Sequence, residues 1–178
     1  MKETKNKATS RALSAILLIL VLLLIINPIA CTTKEKPIVL KSTESGKCGD
    51  FRWAITSILR TDATGPEDKM IRGKGELLII GVNIKNELKR KTRLDPSVLT
   101  LSDKQGREYT PDKSLTVSYL TMLGTKKYKA IYDTELLPLE RAVIFAIFDI
   151  KRDTKGLQLK VSGDKVGGQR DLIFKIEL

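Results

Sequence analysis

The stretch Gly75-Glu76-Leu77-Leu78-Ile79-Ile80-Gly81-Val82-Asn83-Ile84-Lys85-Asn86 decides the fold. Leu78, Ile80, Val82 and Ile84 recur every second residue, so on a strand they share one face. Leu77 and Ile79 make the start of the other face apolar, and Asn83 and Lys85 make its end polar. That pattern predicts a strand buried on both sides at its start and wetter at its end. Gly81 inside it predicts a bulge or a close packing contact.

A second run, Ala142 to Ile150, reads the same way. Ile144, Ala146, Phe148 and Ile150 lie on one face, and Val143, Phe145 and Ile147 on the other. Around these two runs are shorter alternating segments. In Phe51 to Leu59, the residues Phe51, Trp53, Ile55 and Leu59 are expected to point inward. Trp53, the single tryptophan, is expected to plug the core. Thr61 to Gly73 reads as a loop. Val98 to Leu101 and the return through Tyr109 read as a hairpin turning at Gly106. Ser114 to Leu123, rich in Thr, Val, Tyr and Leu, reads as strand-like, and Tyr128 to Tyr132 as another short strand. Leu137 to Arg141 is a turn. Leu157 to Val161 alternates, and Leu172, Phe174, Ile176 and Leu178 share the face of a closing strand. Many short strands, turn residues between them and no evident amphipathic helix predict an all-β, immunoglobulin-like antiparallel β-sandwich.

Ahead of this body, the chain has a different character. Met1 to Arg11 holds four cations against Glu3, and Ala12 to Ile26 is almost wholly apolar. A basic start and an apolar core predict an export signal or an N-terminal anchor over residues 1–31. Ile29-Ala30-Cys31 resembles the lipobox of bacterial lipoproteins, in which the cysteine is acylated after signal cleavage; Pro28 stands where that pattern has Leu, Val or Ile. The resemblance implies lipid attachment at Cys31. An uncleaved anchor and a freely secreted form are the alternatives; the lipid or the anchor would hold the body on the extracytoplasmic face of the cell membrane, and all three put it outside the cytoplasmic membrane. Residues 32–47 read as a linker with a short edge strand at Ile38 to Leu40, and residues 48–178 as the sandwich domain.

Composition narrows the chemistry. Of the formal net charge of +11, the first eleven residues carry +3 and the rest of the chain +8. A basic surface keeps a protein soluble and attracts anionic lipid, acidic polymer or nucleic acid without selecting among them. The densest cluster is Lys89, Arg90, Lys91 and Arg93, read as a solvated loop that could touch an anionic surface. No aromatics interleave with it, which argues against specific nucleic-acid binding. The 178 residues include no histidine. That removes Ser-His-Asp and Cys-His catalysis and histidine-ligated zinc. Two cysteines cannot make a four-thiolate site, so no metal or other cofactor is expected, and neither is an enzyme. Cys48 is expected as a mostly buried thiol.

The order of features carries a resemblance. Phe51-Arg52-Trp53-Ala54-Ile55 precedes the Gly75–Asn86 strand. Leu99-Thr100-Leu101-Ser102-Asp103-Lys104-Gln105-Gly106-Arg107-Glu108-Tyr109 follows, then Phe145-Ala146-Ile147-Phe148-Asp149-Ile150 and Lys155-Gly156-Leu157. With its Asp-x-x-Gly-x-x-Tyr element, this resembles the telokin-like, immunoglobulin-fold domain of unknown function found in prokaryotic lipoproteins and exported proteins. That family often has Pro-Gly-Glu before the Phe145 strand; here Leu137-Pro138-Leu139-Glu140-Arg141 has no glycine. The resemblance implies no catalytic residues. The expectation is a membrane-tethered binding module whose partner is an unknown envelope protein or an anionic polymer. The alternative is a carrier for a small apolar ligand between the sheets.

Overall fold

A computed structural model describes residues 35–124 and 127–177. Cys31, the segment 1–31, the first residues of the linker and Leu178 lie outside the described residues. The expected all-β sandwich is the observed one. The first sheet runs β1(Ile38–Lys41)-β12(Leu172–Lys175)-β11(Gln158–Val161)-β6(Leu99–Ser102)-β7(Glu108–Tyr109). The second runs β2(Ser45–Cys48)-β3(Phe51–Thr64)-β4(Ile71–Asn86)-β10(Arg141–Ile150)-β8(Tyr128–Ala130). A small ribbon pairs β5(Thr92–Arg93) with β9(Glu135–Leu136). Most pairs are antiparallel, but β1 runs parallel to β12 and β8 parallel to β10, so both sheets are mixed.

The anticipated central strand is β4, held between β3 and β10. Its Leu78, Ile80, Val82 and Ile84 meet Ile144, Ala146 and Phe148 of β10 in the main core, against Leu101, Leu159 and Phe174 of the facing sheet. Burial of these alternating faces is the main stabilising term for such a sandwich. Trp53 is fully buried there, as expected, and its Nε1 has no hydrogen-bond partner among the described residues.

Four expectations are corrected. First, the loop read over 61–73 is shorter: β3 and β4 continue as a long hairpin to Thr64↔Ile71 and leave residues 65–70 as the loop. Second, a bulge at Thr56 shifts the register between Ile55 and Ser57, opposite Gly81. It reverses the phase of β3, so Ile58 packs on the core while Leu59 is 46% exposed. A Cβ on Gly81 would sit 2.4 Å from Ser57 Oγ and 3.2 Å from a Phe145 ring carbon, so the glycine makes room for side chains. Third, the edge strand expected at Ile38 to Leu40 is present as β1, but β2 occupies residues read as turn and linker, and the folded unit begins before Cys48. Leu40 of β1 packs on the core, and that burial draws the segment in.

Fourth, Ser114 to Leu123 is not a strand. It belongs to helix α1(Lys113–Leu123). Asp112 caps its start, accepting from Leu115 N at 2.9 Å, and Gly124 ends it at φ 61°. These are standard helix boundaries. Leu115, Tyr119 and Leu120 pack on Leu77, Ile79, Phe145 and Ile147, the outer face of β4 and β10. Beyond β8, the edge of β10 is sealed by the helix. Asp112 N donates to Ile147 O at 2.7 Å, and Ile147 N donates to Thr116 Oγ1 at 3.2 Å. The helix thus satisfies main-chain groups that an open edge would leave unpaired.

Candidate contact surface

The Asp-x-x-Gly-x-x-Tyr element lies at one end of the sandwich and forms a structural clasp. Asp103 is buried between the hairpin strands β6 and β7. Its Oδ1 accepts from Gln105 N at 2.9 Å and Arg107 N at 3.0 Å. Its Oδ2 accepts from Arg107 Nε and, at 3.3 Å, from Tyr109 Oη. Gly106 takes φ 76°, which the turn requires. Burial works against ionisation of Asp103, yet the Arg107 guanidinium and the Arg107 and Gln105 N–H groups outweigh it and hold the carboxyl below its usual range. Arg107 also reaches Thr154, whose carbonyl accepts from Arg60 at 2.7 Å, and Arg60 pairs with Glu76. The network ties the two sheets together. Its carboxylates and guanidinium groups are bonded within the network, as in a structural joint.

The opposite end is basic. Lys47, Arg52, Lys85 and Arg141 are in direct register across β2, β3, β4 and β10. They face away from the core, as their neighbours Phe51, Trp53 and Ile84 face into it. With strands about 4.8 Å apart, four cations span roughly 14 Å. Like charges directly opposite one another destabilise a sheet. One carboxylate relieves the row: Glu87 lies 3.0 Å from Lys47 and 3.3 Å from Arg52. The Lys47 ammonium, against an opposing effect of burial and aided by Arg52, holds the Glu87 carboxyl below its usual range. Among the described residues, no carboxylate lies within 4.0 Å of Lys85 or Arg141. Ser45, Ala54 and Asn83 form the next row and, with Arg52, Lys85 and Arg141, line a hollow of about 210 Å³.

The predicted cluster lies beside this row, where the chain leaves β4. Lys89, Arg90 and Lys91 are exposed in the loop and Arg93 is exposed in β5. Lys91 pairs with Glu135 at 2.8 Å. The loop is held by Asn86, which is completely buried. Asn86 Nδ2 donates to Arg90 O at 2.9 Å and Leu137 O at 3.0 Å, and Oδ1 accepts from Leu88 N at 3.0 Å. The same side chain therefore fixes the basic loop and the turn before β10.

That turn, Leu137-Pro138-Leu139-Glu140, projects its leucines: Leu137 is 56% and Leu139 58% exposed. Leu139 adopts φ 60°, the left-handed region that suits glycine. Leu139 N donates to Leu88 O at 3.3 Å, and Glu140 Oε2 accepts from Leu137 N at 2.6 Å. Lys129, at 2.9 Å, and the Leu137 N–H hold the Glu140 carboxyl below its usual range. Sequence reading found the loop cations but missed Lys47, Arg52, Lys85, Arg141 and the two leucines. The strand cations are far apart in the chain, and only the register aligns them.

The described chain also enters at this end. Arg170 pairs with Glu35 at 2.7 Å, and the Arg170 carbonyl accepts from Cys48 Sγ at 3.3 Å. Cys48 is buried, as expected. It pairs with Phe51 at the tip of the β2–β3 hairpin, next to Asp50, whose carbonyl accepts from Glu87 N at 3.0 Å.

No family model matches the chain, and no curated protein matches it. Solved structures do. A conserved hypothetical protein from Bacillus anthracis superposes with a TM-score of 0.54 at 18% identity, over 67% of this chain and 87% of that one. The secreted protein MPT63 from Mycobacterium tuberculosis gives 0.52 at 12% identity, over 79% and 98%. An uncharacterized beta-sandwich protein from Clostridium difficile gives 0.51 at 17% identity, over 82% and 98%. At these identities the likeness concerns the fold: the chain is similar to these proteins as a two-layer β-sandwich.

Proposed function

We propose that this protein is a membrane-tethered, extracytoplasmic binding module, of the telokin-like kind described for prokaryotic lipoproteins, and that it works through the basic end of its sandwich. The observation that carries the reading is the convergence at one end of the cation row, the Lys89–Arg93 loop and Glu35, the first described residue. The export-type N-terminus and the fold likeness to a secreted protein support the location. Fully buried side chains such as Trp53, Phe148 and Phe174 occupy the space that an apolar ligand between the sheets would need. The module is therefore read as binding through its surface.

Metabolic labelling with a fatty acid tests the tether. The wild type incorporates label and stays with membranes; Cys31→Ala loses the label. An unlabelled wild type that still sediments with membranes replaces the lipid by an uncleaved anchor. A soluble wild type overturns the tethered reading.

A further inference from the structure

Two exposed leucines within three residues, one of them in a backbone conformation that suits glycine, call for an explanation beyond packing. A β-turn that only connects β9 to β10 would be better served by glycine at position 139. Instead the chain keeps a large apolar side chain there and points it outward. Asn86 locks this turn to the basic loop, and Arg141, with Lys85 opposite it in register, follows two residues later. Exposed apolar residues set among cations suit the interface of an anionic bilayer: the leucines enter the headgroup region and the cations meet the phosphates. A soluble anionic polymer would use the cations and leave the leucines in water.

We infer that the Leu137–Leu139 turn, with Lys85, Lys89, Arg90 and Arg141 around it, is a foot that rests on the anionic headgroups of the bilayer. The inference rests on the tethered reading above. From Cys31 to Glu35 the chain reaches at most about 14 Å, and Glu35 sits at the same end of the sandwich as the foot. A tether of that length brings this end to the membrane, and the foot then fixes which face of the module points away from it.

The test uses the full chain carrying Leu137→Trp, with vesicles whose acyl chains carry bromine as a quencher. Leu137 is exposed, so the substitution leaves the core intact, and buried Trp53 serves as an unresponsive internal reference. Vesicles of phosphatidylcholine and phosphatidylglycerol at 7:3 should shift the new emission to the blue and quench it. Phosphatidylcholine alone, or 0.5 M salt, should relieve the quenching. Adding Lys85→Gln and Arg141→Gln should weaken contact about fivefold per charge. Leu139→Gly should retain the fold and lose contact, which separates a membrane role from a structural one. A chain that floats with both vesicle types without quenching overturns the foot and leaves the tether. A chain that floats only with anionic vesicles overturns the tether and leaves the foot. A response to soluble polyphosphate larger than that to vesicles assigns the surface to a polymer and overturns the inference.

Discussion

Asn86→Ala should be among the most damaging polar substitutions in the domain. The Asn86 side chain is wholly buried and makes three well-formed hydrogen bonds, to Arg90 O, Leu137 O and Leu88 N, at 2.9 to 3.0 Å. Alanine removes all three and leaves two carbonyls and one N–H to find other partners. At about 1 kcal/mol for each bond lost, rising where a group stays buried and unpaired, the cost is about 3 kcal/mol. For a body of this size each kcal/mol lowers Tm by about 2–4 °C, so the midpoint should fall by about 6–12 °C. Thermal and urea unfolding of the purified protein measure this directly. Hydrogen exchange should show the loss of protection concentrated at Leu88 and Leu139, because Leu88 N bonds to Asn86 itself and Leu139 N to Leu88 O. A Tm drop below about 2 °C, or exchange that rises evenly across β4, would refute Asn86 as the joint between loop and turn.

Other outcomes follow from the same structure. Leu139→Gly should stabilise the fold by about 0.5–1 kcal/mol, since relief of the left-handed backbone outweighs the added freedom of the unfolded chain; a lower Tm would contradict the strain at φ 60°. Ile58→Ala should cost about 1–2 kcal/mol and Leu59→Ala within about 0.5, and the reverse order in urea midpoints would place the β3 bulge wrongly. Because the folded carboxyl of Asp103 titrates below its ordinary value of 3.8, its stabilising contribution is complete above that value and drains away as pH falls below it. Asp103→Asn should flatten this part of the acid unfolding profile. Burial first, and the nearby Asp112 second, push Tyr132 up to about 12. Stability tied to Tyr132 is therefore intact below pH 10 and lost as pH rises toward 12, and Tyr132→Phe should remove the highest phase of an ultraviolet phenolate titration.

Much of the core was legible because two-residue periodicity needs no partner to be seen. Leu78 to Ile84 and Ile144 to Ile150 declare their inner faces in the chain itself, and so does the second apolar face of β4 and β10. The cover for that second face was missed. Helix α1 carries Thr116, Val117, Tyr119 and Thr121, residue types that favour strands locally, and tertiary burial of Leu115, Tyr119 and Leu120 overrode that preference. The signs of a helix were present in the Asp112 cap, the Gly124 stop and the spacing of those three residues. Asp103 and Tyr109 were noticed as a motif, but their meaning as a clasp needed the hydrogen bonds.

The sequence by itself determined the alternating strands, the apolar run from Ala12 to Ile26, the basic excess and the absence of histidine chemistry, since these depend on composition and on spacings of a few residues. The tertiary structure alone decided the phase of β3 after its bulge, the alignment of Lys47, Arg52, Lys85 and Arg141, and the exposure of Leu137 and Leu139 beside them. Register and exposure are properties of pairs of segments distant in the chain, set by which faces bury together, and no local pattern encodes them.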